Sequence, residues 1–208
     1  MKLRPCACID TLYTELPFLE RIAAAGRDGF AAVEFWHWQD RDMTAVRRAA
    51  EAAGVRVAGF NGDGPFSLID PRQRADYLRY LARSMDAAQA AGAASLTIHS
   101  NALGEGGVVT DRGEDLSDTV RLCALYEGLK TCAALAEDRG ITLHLEALNP
   151  IADHPGNFLV TTAMAAELTA LVGSPRLKIL YDIYHMQLSE GNLVGNIRAW
   201  HGQSGHVH

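Results

Sequence analysis

Six times along this chain a short apolar run gives way to a longer amphipathic stretch rich in Ala and Leu, and that alternation limits the fold more than any other feature. The apolar runs are "LRPCACI" (3–9), "AAVEFWHW" (31–38), "VRVAGFN" (55–61), "SLTIHSN" (95–101), "ITLHLEALN" (141–149) and "LKILYDI" (177–183). The amphipathic segments lie near 15–26, 42–53, 71–91, 117–139, 161–173 and 192–200. Several of them stop at a glycine (Gly26, Gly54, Gly92, Gly140, Gly173), which ends a helix in a left-handed turn without steric penalty, and a strand follows within a few residues. Strands that are each followed by a helix predict a parallel sheet. No break in composition marks a linker, so residues 1–208 are expected to form one domain.

Two α/β architectures fit this pattern, a doubly wound open sheet and a (β/α)8 barrel. The open dinucleotide-binding sheet wants a Gly-rich turn after its first strand, and "CIDTLYTEL" holds no glycine. The barrel instead gathers functional side chains from the carboxyl ends of several strands. Polar residues stand at those ends here: Glu34, Asn61, His99, Asn101, Glu146, Asp182 and His208. The barrel is therefore the predicted fold. Six strand–helix units fill residues 3–204, and "GHVH" opens a seventh strand. A full barrel takes roughly 250 residues, so the expectation is a barrel truncated after the start of strand seven. On that expectation the intact gene product continues past His208, and the 208-residue form binds metal weakly and turns over little substrate.

Charge and cysteine usage narrow the class. A net charge of −6 without a Lys/Arg cluster argues against a nucleic-acid partner. The start, "MKLRPCACID", lacks the apolar core of a signal peptide, and no stretch approaches the ~20 apolar residues of a membrane span. A cytoplasmic location without membrane attachment is the expectation. The four cysteines (Cys6, Cys8, Cys123, Cys132) form no Cys-x-x-Cys and read as buried structural thiols.

The candidate chemistry sits at three strand ends. Glu146 closes the apolar run "ITLHLE", sharing a face with His144 but nearer the mouth, and a carboxylate in an apolar strand is costly without a strong partner. Asp182 repeats the arrangement in "LKILYDIYHMQ", with His185 three residues on. A lone Asp after a strand is often a helix cap, but no helix is expected before about residue 192, which weakens that reading. His208 lies nearer the carboxyl end of the seventh strand than His206, which is assigned to the interior layer. Two carboxylates and one imidazole suit Mn²⁺ or Mg²⁺, with Co²⁺ also compatible. His99 and Asn61 are expected to line a pocket for a polyol-like substrate. Asp63 in "FNGDGP" reads as a turn former, and Glu34 as an interior carboxylate held by a cation.

Several of these segments also carry a family resemblance. "LEALNP…HPGNFLVTTAMAAEL" and "RLKILYDIYHMQLSEGNL", with "VEFW", "NGDGP" and "GHVH", resemble hydroxypyruvate isomerases and their relatives among the xylose isomerase-like barrels. The resemblance implies a divalent metal held by Glu146, Asp182 and His208, and a contact from His185 to a substrate oxygen. It also implies a fourth ligand, a glutamate on strand eight that acts as the second acid/base. The implied reaction is proton transfer beside a carbonyl through an enediolate, with Glu146 moving the proton and a small sugar or hydroxy-carbonyl compound as substrate.

The chain departs from the family at Ala147, where Pro is frequent, and at His208, a position where hydroxypyruvate isomerases often carry Gln and ketose 3-epimerases His. An epimerase of the same family is thus the second reading, and a non-catalytic barrel subunit the third. An apurinic endonuclease of the superfamily would need more metal-binding histidines and a basic surface. The oligomeric state is left open, a homo-oligomer included.

Overall fold

The computed structural model describes residues 3–208. The chain separates into two compact units, one running to Gly62 and including Arg83–Leu96, the other comprising Asp63–Ala82 and Thr97–His208.

In the first unit, β1 (Cys6–Cys8), α1 (Phe18–Arg27), β2 (Ala32–Glu34), α2 (Met43–Ala53) and β3 (Arg56–Asn61) follow the predicted alternation. β1 pairs with β2 in parallel, Cys6 opposite Ala32 and Cys8 opposite Glu34, and β2 pairs with β3 in parallel from Ala32 opposite Arg56. α2 starts where the Asp42 carboxylate accepts the amide hydrogens of Thr44 and Ala45, and it ends at Gly54 with φ +68°. α1 behaves differently from the expectation. Gly26 is inside the helix, not beyond it, and a Cβ there would lie 2.5 Å from the Ala53 carbonyl oxygen. This glycine serves close approach of α1 to α2, a role that its position before a strand disguises.

α3 (Arg74–Ala91) and β4 (Ser95–Ile98) are divided between the units. The second unit continues with α4 (Asp118–Arg139), β5 (Thr142–Glu146), α5 (Thr162–Val172), β6 (Leu177–Tyr181), α6 (Ile183–Ser189), α7 (Leu193–Trp200) and β7 (Ser204–Val207). The strand order is β1-β2-β3-β4 through the first unit and β4-β5-β6-β7 through the second. β5–β6 and β6–β7 are parallel, with Glu146 opposite Leu180 and Tyr181 opposite Val207. β5 buries four of its five residues, as a strand covered on both faces must. Ser117 and Thr161 cap α4 and α5, which end at Gly140 and Gly173 in the left-handed region.

Two expectations are corrected here. A helix does begin directly after β6: α6 starts at Ile183, capped by the Asp182 carboxylate, which accepts the His185 amide hydrogen at 2.9 Å. The seven-residue span is too short to show a helical period, so the sequence pattern conceals it. Cys123 is exposed on α4, whereas Cys132 is buried and Cys6 and Cys8 are half-buried. Burial pushes the Cys132 thiol up to about 12, and burial followed by the Glu34 charge raises Cys6 further. No helix among the described residues is long and apolar enough to cross a membrane.

Candidate metal and substrate site

Within the second unit, the parallel register sets three consecutive strand ends side by side. Glu146 is the last residue of β5, Asp182 follows β6 and His208 follows β7. The backbone ladder extends one residue beyond β7, since the His208 amide donates to the Tyr181 carbonyl at 3.1 Å and the His208 carbonyl accepts from Ile183 at 2.9 Å. That pins the His208 backbone beside Asp182. The His208 Nδ1 lies 3.7 Å from Glu146 Oε1 and 3.6 Å from Asp182 Oδ2. The three predicted ligands therefore converge. The His144 and His206 rings stack with centroids 5.6 Å apart and planes 7° apart, His144 being buried and His206 half-buried.

Glu146 is only 5% exposed, so its charge needs partners. Its second oxygen, Oε2, lies 3.1 Å from His99 Nε2, and the other nitrogen of that ring, Nδ1, lies 3.0 Å from Asp63 Oδ2. The Asp63 carboxylate also accepts the His99 backbone amide hydrogen at 2.6 Å. Both nitrogens of this buried ring thus face carboxylate oxygens, which accept and do not donate, so both nitrogens carry hydrogen. Burial by itself would lower the His99 pKa, but the Asp63 charge and the bonds to Asp63 and Glu146 outweigh it and raise it to about 10. Burial likewise pushes Glu146 up, and the neighbouring His208 and His99 rings override it, holding the carboxyl well below the usual range.

The two ring nitrogens of His99, which was expected to line the substrate pocket, both face carboxylates. Asp63, read from sequence as a turn former, is the group that orients it. The partner lies 36 positions away, and no local spacing signals it.

His185 enters from the first turn of α6. Its Nε2 is 3.9 Å from Asp182 Oδ2, and ligand atoms of Glu146, Asp182 and His185 all lie within 4.8 Å of one another. Its Nδ1 is 2.7 Å from the Asn149 side-chain nitrogen. Asn149, Asp153, His154 and Tyr184 surround it, and none of them was singled out as a candidate in the sequence. The His154 ring sits 5.1 Å from that of His185 and is tied through Nδ1 to the Gly107 carbonyl at 2.7 Å.

Asn61 is half-buried at the end of β3, in the first unit. Glu34 ends β2 in that unit, where its carboxylate is hydrogen-bonded with the Cys6 thiol.

Residues 19–208 match the family model of the xylose isomerase-like TIM barrel. The chain belongs to this family. The sequence motifs had pointed to the same xylose isomerase-like barrels, and strands each followed by a helix are its expected architecture. Among curated proteins, the chain is 30% identical to the 2-oxo-tetronate isomerase of Cupriavidus necator, covering 98% of this chain and 77% of the relative. It is 29% identical to the hydroxypyruvate isomerase of Escherichia coli, covering 99% and 78%. Among solved structures it is similar to an AP endonuclease, family 2, from Brucella melitensis, with a TM-score of 0.86, 24% identity, and coverage of 99% and 78%. This last likeness bears on fold alone. In a xylose isomerase-like barrel, functional groups are sought at the carboxyl ends of strands, and there Glu146, Asp182 and His208 stand.

Proposed function

We propose that this chain is a divalent-metal-dependent isomerase of small hydroxy-carbonyl compounds, similar in action to hydroxypyruvate isomerase. The observation that carries the reading is the approach of His208 Nδ1 to Glu146 Oε1 and Asp182 Oδ2 at 3.7 and 3.6 Å. Donor atoms that each bind one cation at ~2.1 Å stand roughly 3 to 4 Å apart, so this donor set fits. Two carboxylates with one imidazole favour Mn²⁺ or Mg²⁺ over a structural zinc. A cation held by Glu146, Asp182 and His208 would act as a Lewis acid, acidifying the C–H beside a carbonyl and offsetting the charge of the enediolate.

The chain's own groups then divide the work. Glu146 takes the proton from one carbon and returns it to the next on the same face, while the hydroxyl hydrogen passes from its oxygen to the neighbouring carbonyl oxygen; the two transfers together make the 1,2-carbonyl shift. Its basicity is held down by His208 and His99, so the transfer relies on placement, for which effective molarities on the order of 10⁵–10⁸ M are reached. His99, fixed by Asp63, keeps Oε2 occupied and so orients the carboxylate toward the site. His185 supplies a hydrogen bond to a substrate oxygen. Epimerisation is the second reading, favoured by the imidazole at position 208.

The experiment measures Mn²⁺ binding by electron paramagnetic resonance and deuterium wash-in from D₂O beside the carbonyl of hydroxypyruvate. The expected result is weak binding that approaches one Mn²⁺ per chain at saturating metal, and slow wash-in that stops with EDTA. Ketoses followed in parallel separate the epimerase reading. Wash-in that persists at the same rate in Glu146→Gln, or the absence of any Mn²⁺ binding, sinks the proposal.

A further inference from the structure

Around Asn149 every hydrogen is assigned by its partners. The backbone amides of Ala152 and Asp153 donate to Asn149 Oδ1 at 2.8 and 3.3 Å. Backbone N–H groups only donate, so the amide cannot be turned over: the oxygen faces the loop and the NH₂ faces away. That NH₂ lies 2.8 Å from Asp153 Oδ2, an acceptor that also receives the Tyr184 hydroxyl hydrogen at 2.7 Å. Its remaining N–H points at His185 Nδ1, 2.7 Å away. A hydrogen on that nitrogen would collide with the amide's hydrogen, so Nδ1 must offer its lone pair. Asn149 is fully buried, which leaves no solvent to relax the arrangement.

We propose that Asn149 is a positioning residue that fixes the tautomer of His185, keeping the ring hydrogen on Nε2, the nitrogen turned toward Asp182. Two consequences follow for the site. An Nε2 that carries hydrogen has no lone pair for a cation, so His185 is excluded from the Glu146–Asp182–His185 trio and His208 remains as the imidazole ligand. His185 instead presents a donor to an oxygen bearing a free lone pair, such as a carbonyl or an enediolate oxygen. The tautomer stands on the hydrogen-bond geometry, while the identity of that oxygen rests on the isomerase reading above. The other groups around the ring are the His154 and Tyr184 rings, at 5.1 and 5.3 Å, and the Asp182 carboxylate.

The test is long-range ¹H–¹⁵N correlation on the full chain labelled with ¹⁵N-histidine, His185 being assigned by the signal lost in His185→Gln. The expected pattern has hydrogen on Nε2 and none on Nδ1. The paired exchange Asn149→Asp with Asp153→Asn conserves charge and the backbone bonds but turns an acceptor toward Nδ1, so the hydrogen should move to Nδ1. Wash-in activity should fall on the order of 10²-fold, as for loss of one preorganised donor. Asn149→Ala, which removes the amide altogether, should give a mixture of tautomers and serves if the exchanged chain does not fold. Hydrogen on Nδ1 in the unaltered protein overturns the proposal. So does an unchanged Nε2 pattern in a folded exchange variant or in Asn149→Ala. An Nε2 pattern without any wash-in in the unaltered protein leaves Asn149 in this role and sinks the isomerase reading alone.

Discussion

At the scale of single residues, Asp63, His99 and Glu146 place one imidazole between two carboxylates, and the titration of that imidazole has a direction that can be measured. The folded-state pKa of His99, about 10, lies above its ordinary 6.5. The stabilisation is then fully present below 6.5 and is lost as pH rises through about 10, because over that window the folded chain binds the extra proton. In metal-free protein the urea midpoint is expected to fall from pH 6.5 to 10, and His99→Gln should flatten that slope. An equally steep decline in the variant would assign the pH dependence to other groups. On the proposed metal reading Asp63 would act on the cation only through His99, and partners at that remove typically change affinity 10- to 100-fold. Asp63→Ala should weaken Mn²⁺ binding by about that factor in a titration. The convergence of Glu146, Asp182 and His208 was legible because each interrupts or ends an apolar strand. Asp63 and Asn149 were not, because their partners, His99 and His185, lie 36 positions away in each case.

At the scale of elements, Asp182 does two things at once, capping α6 and facing the proposed cation site beside His208. The two roles separate by substitution. Asn caps a helix about as well as Asp but carries no charge, so Asp182→Asn should keep its melting temperature while Mn²⁺ affinity drops. Asp182→Ala should lose both, with about 1 kcal/mol of stability gone in urea unfolding. If the Asn variant melts as low as the Ala variant, the cap is not what holds the start of α6. The α1–α2 approach gives a second test. A methyl at position 26 meets a backbone oxygen that cannot swing aside, so Gly26→Ala should destabilise by about 1–3 kcal/mol. Helices longer than three turns and buried strands were readable from periodicity, with ends displaced by one to several residues. Strands proved shorter than their apolar runs because the carboxyl-terminal residues of "SLTIHSN" and "ITLHLEALN" leave the ladder to build the site.

At the scale of the whole molecule, a cation that binds only the folded chain raises its stability by mass action, about 2.7 kcal/mol at a hundredfold excess over Kd. For a chain of this size each kcal/mol shifts melting by roughly 2–4 °C. Saturating Mn²⁺ should therefore raise the melting temperature by about 5–10 °C, and Glu146→Gln should abolish the shift. An undiminished shift in that variant would move the cation elsewhere. The alternation of strand and helix made the architecture legible. The division into two units was not, because no linker marks it: the chain passes between them at Gly62/Asp63, at Ala82/Arg83 inside α3 and at Leu96/Thr97 inside β4. A gene fragment encoding one unit without the other would have to begin or stop in mid-helix and mid-strand. Neither unit is a continuous stretch of sequence, and a split version of this protein should be cut in a surface loop rather than at the boundary between its compact units.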